Sequence, residues 1–397
     1  MKPLLLTNLT ATSCIGKGVA ATLTSLLQQR SGLRMCAFET VDIETHIGEV
    51  AGVDDARLPE PLRKFDCRNN RLAELALQQD DFFGAVRQAA SRLGARRVGV
   101  FLGTSTAGIL QTELAYRECD PTSGALPPHF EYGSTHNAFS VADYVRQRCG
   151  LQGPAVAVSC ACASSAKVFG SARRMIEAGL IDAALVGGVD SLCLTTLYGF
   201  HSLQLTSPSP CRPFDVARDG ISIGEAAAFI FLERAPRNLD GDSVLLLGIG
   251  ESSDAYHISA PHPEGLGARR AMQAALAAAA LEPEGVDYIN LHGTGTPSND
   301  RSESQAVTSV FGPTTPCSST KGATGHTLGA AGALEAVISA LAIRHGLMPG
   351  GVHTGRIDPT LTAMYIKDNR RASVARVLSN SFGFGGANCS LIFGRAG

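Results

Sequence analysis

Tryptophan is missing from the 397 residues, and aromatic residues of every kind make up only 6% of them. Bulky rings therefore do not dominate the core. The 43 glycines and the abundant alanines point instead to helices and sheets packed at short backbone distances. An excess of one charge is also missing: 34 Lys and Arg stand against 36 Asp and Glu, which speaks against nucleic-acid binding as the main activity. No apolar run has bilayer length. Stretches such as 271–281 reach about half of the roughly twenty residues a spanning helix needs. Residues 1–6 carry one Lys and a short apolar run but neither a full signal core nor a cleavage region, so they read as a first strand of a cytoplasmic protein. Cysteine is present eleven times, an odd number, scattered and without paired CxxC spacing. Neither a disulfide framework nor a zinc site is expected.

What is present alternates. Short apolar runs bounded by Gly or Pro predict strands over 97–102, 155–159, 183–187, 227–232, 244–249, 286–291, 374–379 and 389–393. Helical spacing falls at 138–148, 164–178, 266–280, 300–310 and 328–345. A polar stretch at 236–243 separates two such series. The expectation is an α/β protein of two halves, 1–240 and 241–397, each with a mixed or parallel sheet under helices and sharing one core.

Three residues carry candidate chemistry. In AVAVSCACASSAKVFGSARRMIEAGL, Cys162 falls where a buried strand turns into a helix. Unpaired N–H groups and the helix macrodipole favour a thiolate there, and a thiolate is the nucleophilic form. The competing interpretation is a buried structural thiol, which is also the expectation for Cys14, Cys36, Cys160, Cys193 and Cys389. YINLHGTGTPSND puts His292 at the end of a second-half strand, followed by glycines and the hydroxyls of Thr294 and Thr296. SSTKGATGHTLGAAGALEAV sets His326 in a similar turn, after Lys321 and before Glu335. The remaining histidines, His257 and His262 among them, are expected at the surface or at helix ends.

These segments resemble the β-ketoacyl-acyl-carrier-protein synthases of the elongating type I/II class, within the thiolase superfamily. The matching motifs are SCACASSA around Cys162, LVGGVDS, SSDAYH, LHGTGTPSND, STKGATGHTLGAAG and SNSFGFGGAN, in the family's order from about residue 60 to the end. The resemblance implies a duplicated five-layer α/β/α/β/α fold and catalysis without metal or organic cofactor. By resemblance, Cys162 takes an acyl group from an acyl carrier protein, and His292 and His326 donate hydrogen bonds that promote decarboxylation of a malonyl extender. Lys321 with Glu335 supports that network, and the N–H groups of Cys162 and Phe384 form an oxyanion hole. Phe384 also gates the site, Phe382 lies beside it, and Thr294 and Thr296 hold the pantetheine arm. Arg63 and Lys64, in LRKFD, match a basic segment that meets the acidic carrier. The partners implied are acyl- and malonyl-loaded carrier proteins and a second copy of the chain in a homodimer, the alternative being a heterodimer with a homologous subunit.

The chain departs from the family pattern in places. Ile221 stands where elongating enzymes have Phe, the 205–214 loop is short, and FDCRNNRLAELAL at 65–77 is unlike the housekeeping enzymes. These departures lean toward a specialised lipid, polyene or polyketide pathway. The alternative is a non-catalytic, chain-length-determining subunit. Such subunits typically lack the nucleophile, which this chain retains.

Overall fold

The computed structural model describes residues 1–396. Its first half contributes strands β1 (Leu4–Ser13), β2 (Val98–Gly103), β3 (Ala155–Val158), β4 (Ala183–Asp190) and β5 (Ala226–Arg234), with helices α1 (Arg68–Leu77), α2 (Ser140–Arg148) and α3 (Ser164–Glu177). The second half contributes β6 (Val244–Ser253), β7 (Tyr288–Asn290), β8 (Pro316–Ser318), β9 (Met364–Tyr365), β10 (Arg376–Gly383) and β11 (Ala387–Arg395). Its main helices are α4 (Leu266–Ala279), α5 (Pro297–Phe311) and α6 (Ala331–His345).

The strands join in the order β9-β8-β7-β10-β11-β6-β1-β5-β4-β2-β3, with the two-residue Gly16–Lys17 strand paired back onto β1. The halves share a pattern. Three strands run parallel in the first (β3-β2-β4) and four in the second (β9-β8-β7-β10), each set followed by two antiparallel ones (β5-β1 and β11-β6). The duplication is thus one of topology, with no trace as a sequence repeat.

Alternation along the strands explains the layers. Val100, Leu102, Leu185, Phe229 and Phe231 point to an outer core with Leu72, Leu77, Tyr144 and Val145 of α1 and α2. Phe101, Val186, Ala228 and Ile230 point the other way, toward α3 and α6, which also receive Val377, Leu391 and Phe393 from the second half. Ile289, Leu378 and Ile392 face α4 and α5 outside. Helix, strand, helix, strand and helix layers follow, the thiolase-like α/β arrangement.

The central layer is tight. A Cβ on Gly332 of α6 would lie 2.7 Å from the Ala166 nitrogen and 2.8 Å from its Cβ, so only glycine allows α3 and α6 to approach this closely. From Ala331 to Ile343 every residue of α6 is buried, with Glu335 the one charge among them. The helical stretch Leu328–His345 is apolar and long enough to cross a bilayer, which corrects the sequence estimate of apolar run length. It is 89% buried between the two sheets, however, and its apolarity belongs to the core.

Candidate active site

Cys162 is reached through an unusual turn. After β3, Ala161 adopts φ +48°, a left-handed conformation that costs a non-glycine residue about 1–2 kcal/mol. The turn sets Cys162 two residues ahead of α3, 5% exposed. His326 comes from the second half, with its backbone pinned on both sides: its N–H donates to the Ser222 carbonyl (2.7 Å) and its carbonyl accepts from Gly224 (2.9 Å). Its Nε2 lies 3.0 Å from the Cys162 Sγ. His292 stands nearly at right angles to His326, with ring centroids 5.2 Å apart, and Phe382 lies 5.9 Å from His292 on another side.

Burial sets the charge states. The Cys162 thiol is pushed up to about 12 by desolvation, against the opposing pull of Lys321 and of the Phe384 and Cys162 N–H groups. Desolvation outweighs the helix terminus, so the resting residue is a neutral thiol. The helix terminus by itself favours the thiolate, and burial opposes it. Both imidazoles are driven well below their ordinary value, by burial first and the Lys321 ammonium second, and stay neutral. Neither Nδ1 has a hydrogen-bond partner.

Behind the rings, Lys321 donates to Glu335 at 2.5 Å, with both side chains buried. Burial raises the Glu335 carboxyl to about 7 although Lys321 pulls it down. A pocket of about 610 Å³, partly open to solvent, brings together Cys162, His292, His326, Thr294, Thr296, Phe382 and Phe384. The two threonine hydroxyls are 2.9 Å apart. Phe384 packs on Phe200 (centroids 5.5 Å apart), and Ile221 and Leu205 complete an apolar wall. The strand leading to Phe384 passes so near the nucleophile that a Cβ on Gly383 would sit 2.9 Å from the Cys160 carbonyl oxygen.

Arg63 and Lys64 do not join this pocket. They are exposed on a short 3-10 turn, where Arg63 pairs with Glu60 at 3.0 Å and the Lys64 ammonium lies 5.0 Å from the Phe65 ring centroid. Cys193 and Cys389 are buried, as expected of packing thiols, while Cys14 and Cys36 are only partly so.

Sequence reasoning missed several groups. Glu303 on α5 accepts from the N–H groups of His292 (2.8 Å) and Gly293 (2.7 Å) and from the Asn380 amide (3.1 Å). Its signal was an acid three residues from another acid, Asp300, on the same helix face as the buried Val307. Asp190, closing the buried run of β4, accepts from Thr104, Ser105 and Thr106 and from the Gly329 N–H, tying the β2 exit to the segment after His326. His257, placed at the surface by its loop, lines the pocket with Asp254 and Asn388.

Two family models match the chain: the β-ketoacyl synthase N-terminal domain over residues 5–238 and the C-terminal domain over 244–354. A mitochondrial 3-oxoacyl-[acyl-carrier-protein] synthase of Arabidopsis thaliana is 39% identical, over 75% of this chain and 68% of its own. The 3-oxoacyl-[acyl-carrier-protein] synthase 2 of Staphylococcus aureus is 31% identical over 99% of this chain and 98% of its own. Among solved structures, one described as a ketosynthase in complex with its chain length factor, from Xenorhabdus doucetiae, superposes with a TM-score of 0.90 at 37% identity. That match covers 100% of this chain and 98% of the other. Matched by these models over most of its length, the chain belongs to the β-ketoacyl synthase family of condensing acyltransferases.

Proposed function

We propose that the chain is a cytoplasmic β-ketoacyl-carrier-protein synthase of a specialised lipid, polyene or polyketide pathway, with the nucleophile supplied by residues 1–240 and both histidines by 241–397. The observation that carries this is the 3.0 Å contact between Cys162 Sγ and His326 Nε2. In the first half-reaction, Sγ attacks the carrier thioester while its proton passes to Nε2. The carrier's thiol leaves with that proton, and His326 returns to neutral.

In the second half-reaction, a malonyl thioester takes the place of the first. Its carbonyl oxygen accepts hydrogen bonds from His292 and His326, the carbon–carbon bond to the carboxylate breaks, and carbon dioxide departs. The enolate carbon attacks the Cys162 thioester, whose oxyanion sits between the N–H groups of Cys162 and Phe384. The C–S bond then breaks to release the β-ketoacyl product and the Cys162 thiolate, which takes up one proton from solvent to restore the thiol. Because no partner fixes either Nδ1, each ring is free to present Nε2 as acceptor in one step and donor in the next. Burial, with Lys321 held by Glu335 as the second cause, keeps the rings neutral, so they donate without adding charge.

For partners, β3 is a half-exposed apolar edge strand with a neighbour on one side only, which suits pairing with a second thiolase-like chain. Solved neighbours include ketosynthases paired with chain length factors, and we favour a homologous, non-identical partner. The intact Cys-His-His set argues against this chain being the inactive member of such a pair. Arg63 and Lys64 supply basic charge for an acidic carrier. Reversing both charges should weaken carrier affinity and flatten its salt dependence; an unchanged salt slope by calorimetry would remove them from the interface.

The deciding experiment is intact-protein mass spectrometry with a panel of acyl-carrier proteins, followed by malonyl-carrier protein. An acyl mass on Cys162 that disappears as β-ketoacyl product forms is expected, and Cys162→Ala should take no acyl group. Wild-type acylation in that variant would refute the assignment.

A further inference from the structure

We propose that Cys162, His292 and His326 form a reversible, inhibitory binding site for a soft divalent cation of the zinc class. One ligand atom from each residue lies within 4.8 Å of the other two, and all three residues are buried. Among the described residues, no other trio of histidine, cysteine or carboxylate side chains meets this spacing. Zinc–sulfur and zinc–nitrogen bonds of about 2.3 and 2.1 Å at tetrahedral angles separate ligand atoms by about 3.4–3.6 Å. The Sγ–Nε2 contact of 3.0 Å must therefore open slightly and the wider pairs close, displacements within reach of side-chain rotation. A fourth position stays open toward the pocket, as in three-ligand zinc sites.

The ligands are chemically ready. Both imidazoles are neutral, so their lone pairs need no deprotonation. Only the thiol must lose a proton: the S–H bond breaks, a sulfur–metal bond forms, and one proton is released per ion bound. The Lys321 ammonium, though paired with Glu335, opposes the added positive charge, which the negative charge of the bound thiolate offsets in part. The sequence does not announce the site, because Cys162 and His326 are 164 residues apart and no short motif contains two of the ligands. Occupancy would cap the nucleophile and both donors together.

The test uses the full chain and Zn²⁺ alone, with no carrier or acyl substrate, so it is independent of the condensation assignment. Labelling of Cys162 by iodoacetamide, followed by peptide mass spectrometry, should slow about tenfold or more in excess Zn²⁺ and recover with a chelator. Labelling of the half-buried Cys36 serves as the internal control. Co²⁺ in place of Zn²⁺ should give a thiolate-to-cobalt charge-transfer absorption that is absent in Cys162→Ser and diminished in His292→Asn. Cys162 labelling that ignores Zn²⁺, or the same cobalt absorption in Cys162→Ser, would overturn the proposal. The wild-type labelling arm needs no variant to fold.

Discussion

The thiol of Cys162 lies in surroundings that favour its neutral form, and in the proposed mechanism His326 takes its proton at the moment of reaction. Since its pKa stands at about 12, the rate of alkylation of free Cys162 should keep climbing as pH rises past 9, where an ordinary thiol levels off. A stopped-flow alkylation profile checks this; a plateau near neutral pH would mean a standing thiolate–imidazolium pair. Of this cluster, Cys162 and both histidines were legible as candidates because each sits in a turn among small residues. The protonation state was not, because burial outweighs the local dipole and cannot be counted from a motif. Glu303 and Asp190 were illegible for a related reason. Their partners are backbone N–H groups and hydroxyls from distant segments, which leave no spacing of their own.

The strands and central helices were nearly readable from apolar periodicity. β5, β6 and β11 nevertheless extend two or more residues beyond their apolar runs, because antiparallel partners, on both sides of β5 and β11 and on the β11 side of β6, keep pairing their backbones into polar sequence. The segment 328–345 was expected as one helix. It opens with a short 3-10 turn at Leu328–Ala330, where Leu328 has φ +50° and Asp190 holds the Gly329 N–H. The contact of Gly332 with Ala166 is where the α3–α6 packing is most exposed to mutation. Gly332→Val should destabilise the fold by about 2–3 kcal/mol or more, since both neighbours are rigid and buried. A thermal melt of the variant matching wild type would show that the central helices can separate without cost.

Across the whole molecule, seven buried cysteines have thiols raised above their ordinary value of 9.0 by desolvation: Cys67, Cys149, Cys162, Cys193, Cys211, Cys317 and Cys389. Above pH 9 the unfolded chain loses these protons while the folded chain keeps them. Stability is therefore fully present below pH 9 and declines from there toward pH 12, each thiol contributing up to about 1.4 kcal/mol per pH unit. Denaturant midpoints under reducing conditions should fall steeply across that window; a flat profile between pH 9 and 10.5 would contradict the burial of these thiols.

The central place of β1 has a consequence for how the protein is made. β1 leaves the ribosome more than 200 residues ahead of its partners, Ala226–Arg234 on one side and Val244–Leu246 on the other. At about 5–20 residues per second, that interval is on the order of ten seconds or longer. For that time the apolar LLLTNL stretch has no sheet to join, and the nucleophile has no histidines to face. Catalytic competence is thus a late event in synthesis. A nascent chain truncated before β6 should bind holdase chaperones and fail to mature, whatever the quality of its own core.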